Sequence, residues 1–280
     1  MRVEELTRPK LAHLKPQLMG LLMQDPVANI FLIDQLELWG SGGAPELSWW
    51  VCWSARDELI SLVYGNYPDA GQPAVAMSAT GNDDGCYRVG KHLRPRRAWM
   101  LVGPRGPCDG LWEGLGCPAF RVFYDQRLYC CTVPPQGAAR VPVPAGIHEV
   151  EVVAAMQSAM LAEDLGIDPR RLNQDAQRRR IAQRITDQKV FVLRDATGVP
   201  EFCIDAGNMG PEGTQVGGTF TRPSSRGQGL ATEAMRGLCR TLLARVPRVT
   251  LHVNEANTAA VRVYERSGFT RAAPFRLMAV

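Results

Sequence analysis

Apolar residues recur at helical spacing over 14–38, and the pattern then changes to the unbroken run Trp49, Trp50, Val51, Cys52, Trp53 and a second apolar run at 59–63, with Arg56 and Asp57 between them. That change predicts a helix containing Asp25 and Pro26, followed by a β-hairpin. Strands are expected at 74–77 and 99–102 and between Phe120 and Thr132, and helices at 86–93 and around Leu111 and Trp112. The segment Pro134, Pro135, Gln136, Gly137 reads as a linker.

Beyond the linker the same alternation starts again. A first strand at 139–143 leads to a helix at 147–165 with Val150, Val153, Ala154, Met160 and Leu161 on its apolar positions, and Gly166 ends it. Asp168 and Pro169 open a second helix, in which Leu172, Ala176, Ile181 and Ile185 are expected to face inward while Arg178, Arg179, Arg180 and Arg184 ring the outside. A hairpin of 190–193 and 201–204 about the turn 195–198 precedes a strand at 214–221. Next come a helix with Leu230, Ala231, Ala234, Met235, Leu238, Leu242 and Leu243 near one face, a strand at 249–253 and a short helix between Asn257 and Gly268. A last strand at 275–280 should complete the sheet. The repeated order predicts an α/β chain of two tandem domains with mixed α+β sheets, at 1–133 and 138–280.

Composition fits that division: 280 residues with 45% hydrophobic can form two ordinary cores, and 21% charged argues against disorder. A net charge of +4 implies neither a nucleic-acid nor a membrane partner, and the arginine-rich helix reads as a solvated face. With no signal peptide or long apolar segment evident, a soluble, cytoplasmic protein is expected. The 8 cysteines and 4 histidines show no metal-ligand spacing, so no metal site is expected, and reduced core thiols are the reading for the cysteines.

The most informative segment is Arg226, Gly227, Gln228, Gly229, Leu230, Ala231, placed where a strand hands over to an amphipathic helix. Glycines there leave main-chain amides open to a ligand, and the first amides of a helix have no intrahelical partner. Together with the helix dipole and Arg226 they suit a phosphate. A glycine turn before a helix is a weak signal alone, but Asn257, Ala260 and Tyr264 follow downstream, with Ser267, Gly268 and Phe269 after them. Asn257 suits an N-cap and Gly268 a helix stop.

These residues resemble the GNAT superfamily of acyl-CoA-dependent N-acyltransferases, in detail over the last third of the chain. The resemblance implies that Arg226, Gly227, Gln228, Gly229, Leu230 and Ala231 hold the coenzyme A pyrophosphate. It implies that the backbone of Thr219, Phe220 and Thr221 lines the pantetheine arm and polarises the thioester carbonyl, that Asn257 lies near the pantetheine, and that Tyr264 is the general acid facing the sulfur. Acetyl-CoA is then the co-substrate, and a small-molecule amine or a peptide the acceptor. Thr221 stands where the family usually has an aliphatic residue. The N-terminal half follows the same order of elements, but its loop reads Ala79, Thr80, Gly81, Asn82, Asp83, Asp84, Gly85, without arginine and with carboxylates that repel a pyrophosphate. It resembles the degenerate half of tandem GNAT proteins.

The chemistry needs a base for the amine as well as an acid for the thiolate, whose pKa near ~8.5 a phenol near ~10 can serve when held close. Glu163, Asp164, Glu201 and Asp205 are the base candidates, each as readily an ordinary solvated carboxylate; Glu233 and Glu255 read as exposed, and His252 is a weaker candidate for proton transfer. A non-catalytic acyl-CoA sensor or partner-binding protein is the alternative, disfavoured because a binding module needs the cradle but not the tyrosine.

Overall fold

The computed structural model describes residues 1–40, 47–66, 76–94, 100–168, 170, 173–207 and 209–279. The chain forms two compact units: Met1–Leu128 with His252–Ala256 and Ala272–Val280, and Tyr129–Leu251 with Asn257–Arg271. Eight α-helices are found among the described residues, and no described helix is long and apolar enough to cross a membrane.

The first unit begins with β1 (Arg2–Glu5), α1 (Arg8–Leu22) and α2 (Ile30–Gly40), followed by β2 (Leu47–Trp53), β3 (Leu59–Asn66) and β4 (Ala76–Gly81). Then come α3 (Asp83–Leu93), β5 (Met100–Pro104), α4 (Arg105–Gly114) and β6 (Val122–Cys131). The single helix expected over 14–38 is two, broken after Leu22, where the Asp25 carboxylate accepts from the Ala28 amide at 3.0 Å ahead of α2. Trp99 and residues 74–75, expected in strands, lie outside the described residues. In β2, Trp49, Val51 and Trp53 belong to a core with Leu11, Leu18, Leu22 and Leu36, while Trp50 and Cys52 belong to another with Cys86, Val89 and Leu111. Helices cover both faces of the strand, which is why its sequence is apolar without alternation.

Close packing of α3 on α4 depends on glycine: a Cβ at Gly90 would come within 2.5 Å of the Leu111 carbonyl oxygen, and one at Gly114 within 2.1 Å of that of Tyr87. At the start of α3 the Asn82 side chain accepts from the Gly85 amide at 3.1 Å, with Asp83 and Asp84 in the first turn. The helix start that corresponds to the glycine cradle thus carries its own polar cap and two carboxylates.

The second unit contains β7 (Val143–Pro144), α5 (Val150–Leu165), α6 (Gln174–Thr186), β8 (Val190–Arg194), β9 (Pro200–Ala206), β10 (Thr214–Thr221), α7 (Leu230–Leu243), most of β11 (Val249–Asn254), and α8 (Thr258–Arg266). Its strands pair in the order β7, β8, β9, β10, β11, antiparallel except for the parallel β10 and β11. The strand expected at 139–143 is reduced to Val143 and Pro144. A 3₁₀ turn, Ile147–Glu149, precedes α5, and buried Glu149 clips it in place. Its carboxylate accepts from the Gly146 amide at 2.6 Å and from Arg194 at 2.8 and 2.7 Å. Gly166 ends α5 in the left-handed conformation, as its place in the sequence predicts.

Asn173, not Asp168, caps α6, accepting from the Ala176 amide at 2.9 Å. Ile181 and Ile185 are buried as expected, but Ala176 is exposed and Gln177 takes the inward position; Leu172 and Pro169 lie outside the described residues. Arg184 is not on the outer rim, because it donates to Asp205 of β9 at 2.9 Å. The segment read as a linker is fastened to α7: Arg240 donates to the carbonyls of Pro135 (2.8 Å) and Gly137 (2.6 Å).

The last strand, β12 (Thr270–Ala279), departs from expectation. Its residues Phe275 to Ala279 pair antiparallel with Pro104 to Met100 of β5, so the end of the chain completes the sheet of the first unit.

Candidate acyl-transfer site

The anticipated coenzyme-binding residues, Tyr264 and the four candidate carboxylates fall in the second unit. In β10 the ladder to β9 pairs Gly217 with Asp205 and then Phe220 with Cys203, a bulge that takes Gly218 to φ +61° and releases Thr219 from regular pairing. Among the described residues the parallel pairing to β11 comprises Thr214 with Val249 and Gln215 with Thr250. The remainder of β10 is therefore held from its β9 side. The sequence shows the two glycines but not the bulge, since pairing register is a property of both strands.

The loop after β10 runs through a 3₁₀ turn, Pro223–Ser225, into Arg226, Gly227 (φ +77°), Gln228 and Gly229 (φ +80°). Gly229 is the N-cap of α7, and no side chain caps that helix, so its first-turn amides, beginning with Leu230 and Ala231, are left for solvent or a ligand. A Cβ at Gly227 or Gly229 would meet nothing within 4 Å. Glycine is required here by the left-handed backbone rather than by close approach of another chain segment. Gln228 donates to the Ser224 carbonyl at 3.3 Å, bracing the turn.

Arg226 lies over the Phe220 ring at 5.1 Å, donates through Nε to the Thr221 carbonyl at 2.9 Å, and makes a two-pronged ion pair with Glu163 at 3.1 and 3.0 Å. Phe220 itself is buried in the core under α5 and α6. Asn257 caps α8 by accepting from the Ala260 amide at 3.1 Å, which leaves its NH₂ group as a donor.

Tyr264, on α8, is buried, with the Thr219 side chain beside its hydroxyl. Burial raises the phenol above its ordinary value; the Thr219 hydroxyl works in the opposite direction, and the Asp164 carboxylate adds to the rise. Tyr264 thus stays protonated at neutral pH, with a partner at its oxygen and an acidic side chain within electrostatic range. Thr219 was expected to contribute only backbone, but its side chain is what touches the tyrosine.

A model of the Acetyltransferase (GNAT) family matches residues 201–269, the stretch that holds β10, the glycine loop, Asn257 and Tyr264. A GNAT-family acetyltransferase from Colwellia psychrerythraea is similar in fold along the whole of both chains, at TM-score 0.59 and 12% identity. A tandem GNAT protein from the clavulanic acid biosynthesis pathway is similar over 100% of this chain and 98% of its own, at TM-score 0.56 and 15% identity. A Drosophila protein reaches TM-score 0.68 at 10% identity over 99% and 98%. No curated protein matches the sequence. The fold is accordingly mixed α/β, and over the whole chain it is similar to that of a tandem GNAT protein.

In the second unit the four candidate carboxylates have different surroundings. Glu163 is committed to Arg226, Glu201 to Arg140 at 3.1 Å, and Asp205 to Arg184 at 2.9 Å and to Gln157 Nε2 at 2.8 Å. Asp164 has no ion pair among the described residues. Partial desolvation lifts its carboxyl above the ordinary value, with Glu163 adding to the rise and Arg226 opposing it. His252 falls in the first unit, stacks on Phe275 at 5.2 Å, and is pulled down to about 4 by burial. Among the described residues no group of three or more His, Cys, Asp or Glu side chains could hold a metal ion.

Proposed function

We propose that this protein transfers an acetyl or other acyl group from acyl-CoA to an amine by direct attack of the amine on the thioester. The observation that carries the reading is the buried Tyr264, its hydroxyl beside Thr219 on the bulged strand that leads into the uncapped glycine loop. A binding protein has use for the loop alone, whereas a buried phenol fixed at the bulge serves proton transfer.

In this reading the first-turn amides of α7, with Arg226, Gly227, Gln228, Gly229, Leu230 and Ala231, take the pyrophosphate, the charge of Arg226 being released from Glu163. Backbone of Thr219, Phe220 and Thr221 lines the pantetheine arm and supports the oxyanion that develops on the carbonyl, and the Asn257 NH₂ group meets the arm. Asp164 takes the proton lost by the amine, directly or through water, as the carbon–nitrogen bond forms. Tyr264 gives its proton to the thiolate as the carbon–sulfur bond breaks, and solvent restores both groups. The N-terminal half is assigned no coenzyme site of its own, and the protein is placed in the cytoplasm, where its thiols stay reduced.

Titration of acetyl-CoA and of free coenzyme A by calorimetry, followed by thiol release against amines, amino acids and peptides, tests the proposal. Saturable binding with amine-dependent thiol release supports it. Binding without release supports a sensor instead, and absence of binding removes the cradle.

A further inference from the structure

Four side chains from three elements form a charged cluster against the bulge of β10. Asp205 of β9 accepts from Gln157 of α5 at 2.8 Å and from Arg184 of α6 at 2.9 Å, and Arg180, one turn before Arg184, donates to Gln157 Oε1 at 3.1 Å. The cluster touches the bulge itself, since a Cβ at Gly218 would come within 3.3 Å of Gln157 Nε2 and 3.4 Å of the Asp205 carboxyl carbon. Two guanidinium groups face one carboxylate there. Arg184 has the ion pair with Asp205, whereas Arg180 has none among the described residues and is exposed.

The other end of the same helix face carries the opposite sign. Gln157 and Asp164 are seven residues apart on α5, two turns along one face and about 10 Å in axial rise. Asp164 is the carboxylate without an ion pair, within electrostatic range of Tyr264. The strand segment from Gly218 to Thr219, where the acyl group would be presented, meets Gln157 and Asp205 at Gly218 and Tyr264 at Thr219. Surplus positive charge at one end and an unpaired carboxylate at the other are complementary to a molecule bearing an anion and an amine. A single surplus guanidinium, planar and forked, matches one carboxylate in charge and geometry.

We propose that the acyl acceptor is an amino acid or a similar amine that carries a carboxylate, with Arg180 holding that carboxylate and Gln157 orienting Arg180. The inference rests on the acyltransferase reading above and adds the chemical class of its second substrate.

The test compares matched acceptors with and without the carboxylate, 6-aminohexanoate against hexylamine and β-alanine against its amide, by thiol release at saturating acetyl-CoA. The same acceptors are also titrated by calorimetry into the complex with coenzyme A. At least one carboxylate-bearing member is expected to exceed its partner at least tenfold in kcat/KM. Arg180→Gln should erase that preference by raising KM for the carboxylate-bearing amine with kcat and acetyl-CoA affinity unchanged, and Arg180→Lys should restore part of it. Thermal melts of both variants matching the wild type exclude a folding defect as the cause. Equal use of both members of each pair, equal loss for both on Arg180→Gln, or neither turnover nor binding of any carboxylate-bearing amine by a protein that binds acetyl-CoA overturns the inference. Failure to bind acetyl-CoA at all overturns instead the reading on which it rests.

Discussion

The hydroxyl of Tyr264 on α8 lies beside the side chain of Thr219 on β10, 45 positions earlier in the chain, and this contact joins the two segments that the acyl-transfer reading needs to be adjacent. Thr219 is free to make it because the bulge at Gly218 releases it from regular pairing with β9.

Replacing the phenol separates chemistry from binding. Tyr264→Phe keeps the buried ring and removes only the proton donor, so kcat is expected to fall by about 10²–10⁴ with acetyl-CoA affinity unchanged. Thiol-release kinetics alongside calorimetry provide the check, and unchanged turnover would reject the acid role. Thr219→Val should leave the ring in place but alter the alkaline limb of the pH–rate profile, because the hydroxyl that lowers the tyrosine's pKa is lost.

Arg226 and Glu163 compete with the coenzyme for each other. Arg226→Glu should weaken acetyl-CoA binding at least tenfold, charge-assisted contacts being worth about 1.5–3 kcal/mol each. Glu163→Gln should strengthen binding two- to fivefold, since the pair is about half exposed and such a pair contributes roughly 0.2–1 kcal/mol. Calorimetric Kd values that move in the same direction for both variants would contradict this arrangement.

Gly229 has open space around its missing Cβ, so a substitution there acts through the backbone alone. Gly229→Val is expected to cost about 1–2 kcal/mol of stability from a β-branched residue at φ +80° and to impair coenzyme binding as the turn relaxes. Urea denaturation gives the first quantity and acetyl-CoA titration the second. A variant of wild-type stability would show that the turn does not require the left-handed conformation.

Acid should loosen the start of α5. Burial alone would raise the Glu149 carboxyl, but the two Arg194 contacts and the Gly146 amide outweigh it and hold it below the ordinary carboxylate value. A depressed folded pKa means that the stabilisation is present above the unfolded value of about 4.3 and is lost as pH falls through the lower, folded value. Urea midpoints measured from pH 7 down to pH 3 should therefore drop for the wild type. Glu149→Ala should cost about 3–5 kcal/mol at pH 7, by leaving Arg194 half-buried without its partner, and should flatten that acid dependence.

The sequence by itself determined the local elements and the reactive segments. Strand β10, the amphipathic face of α7, the Asn257 cap, the Gly166 stop and the left-handed glycines of the loop all follow from spacing and from intrinsic backbone preference, which act over a few residues. Tertiary structure alone decided the rest. Whether Arg184 faces solvent or Asp205, which carboxylate remains without an ion pair, and whether Thr219 offers backbone or hydroxyl depend on the bulge register and on side chains brought in by other elements. The last strand shows the limit most plainly: an apolar run at 275–280 announces a strand, but its polar backbone can be satisfied by any open edge. Only the folded chain shows that β5 of the first unit is the edge it takes.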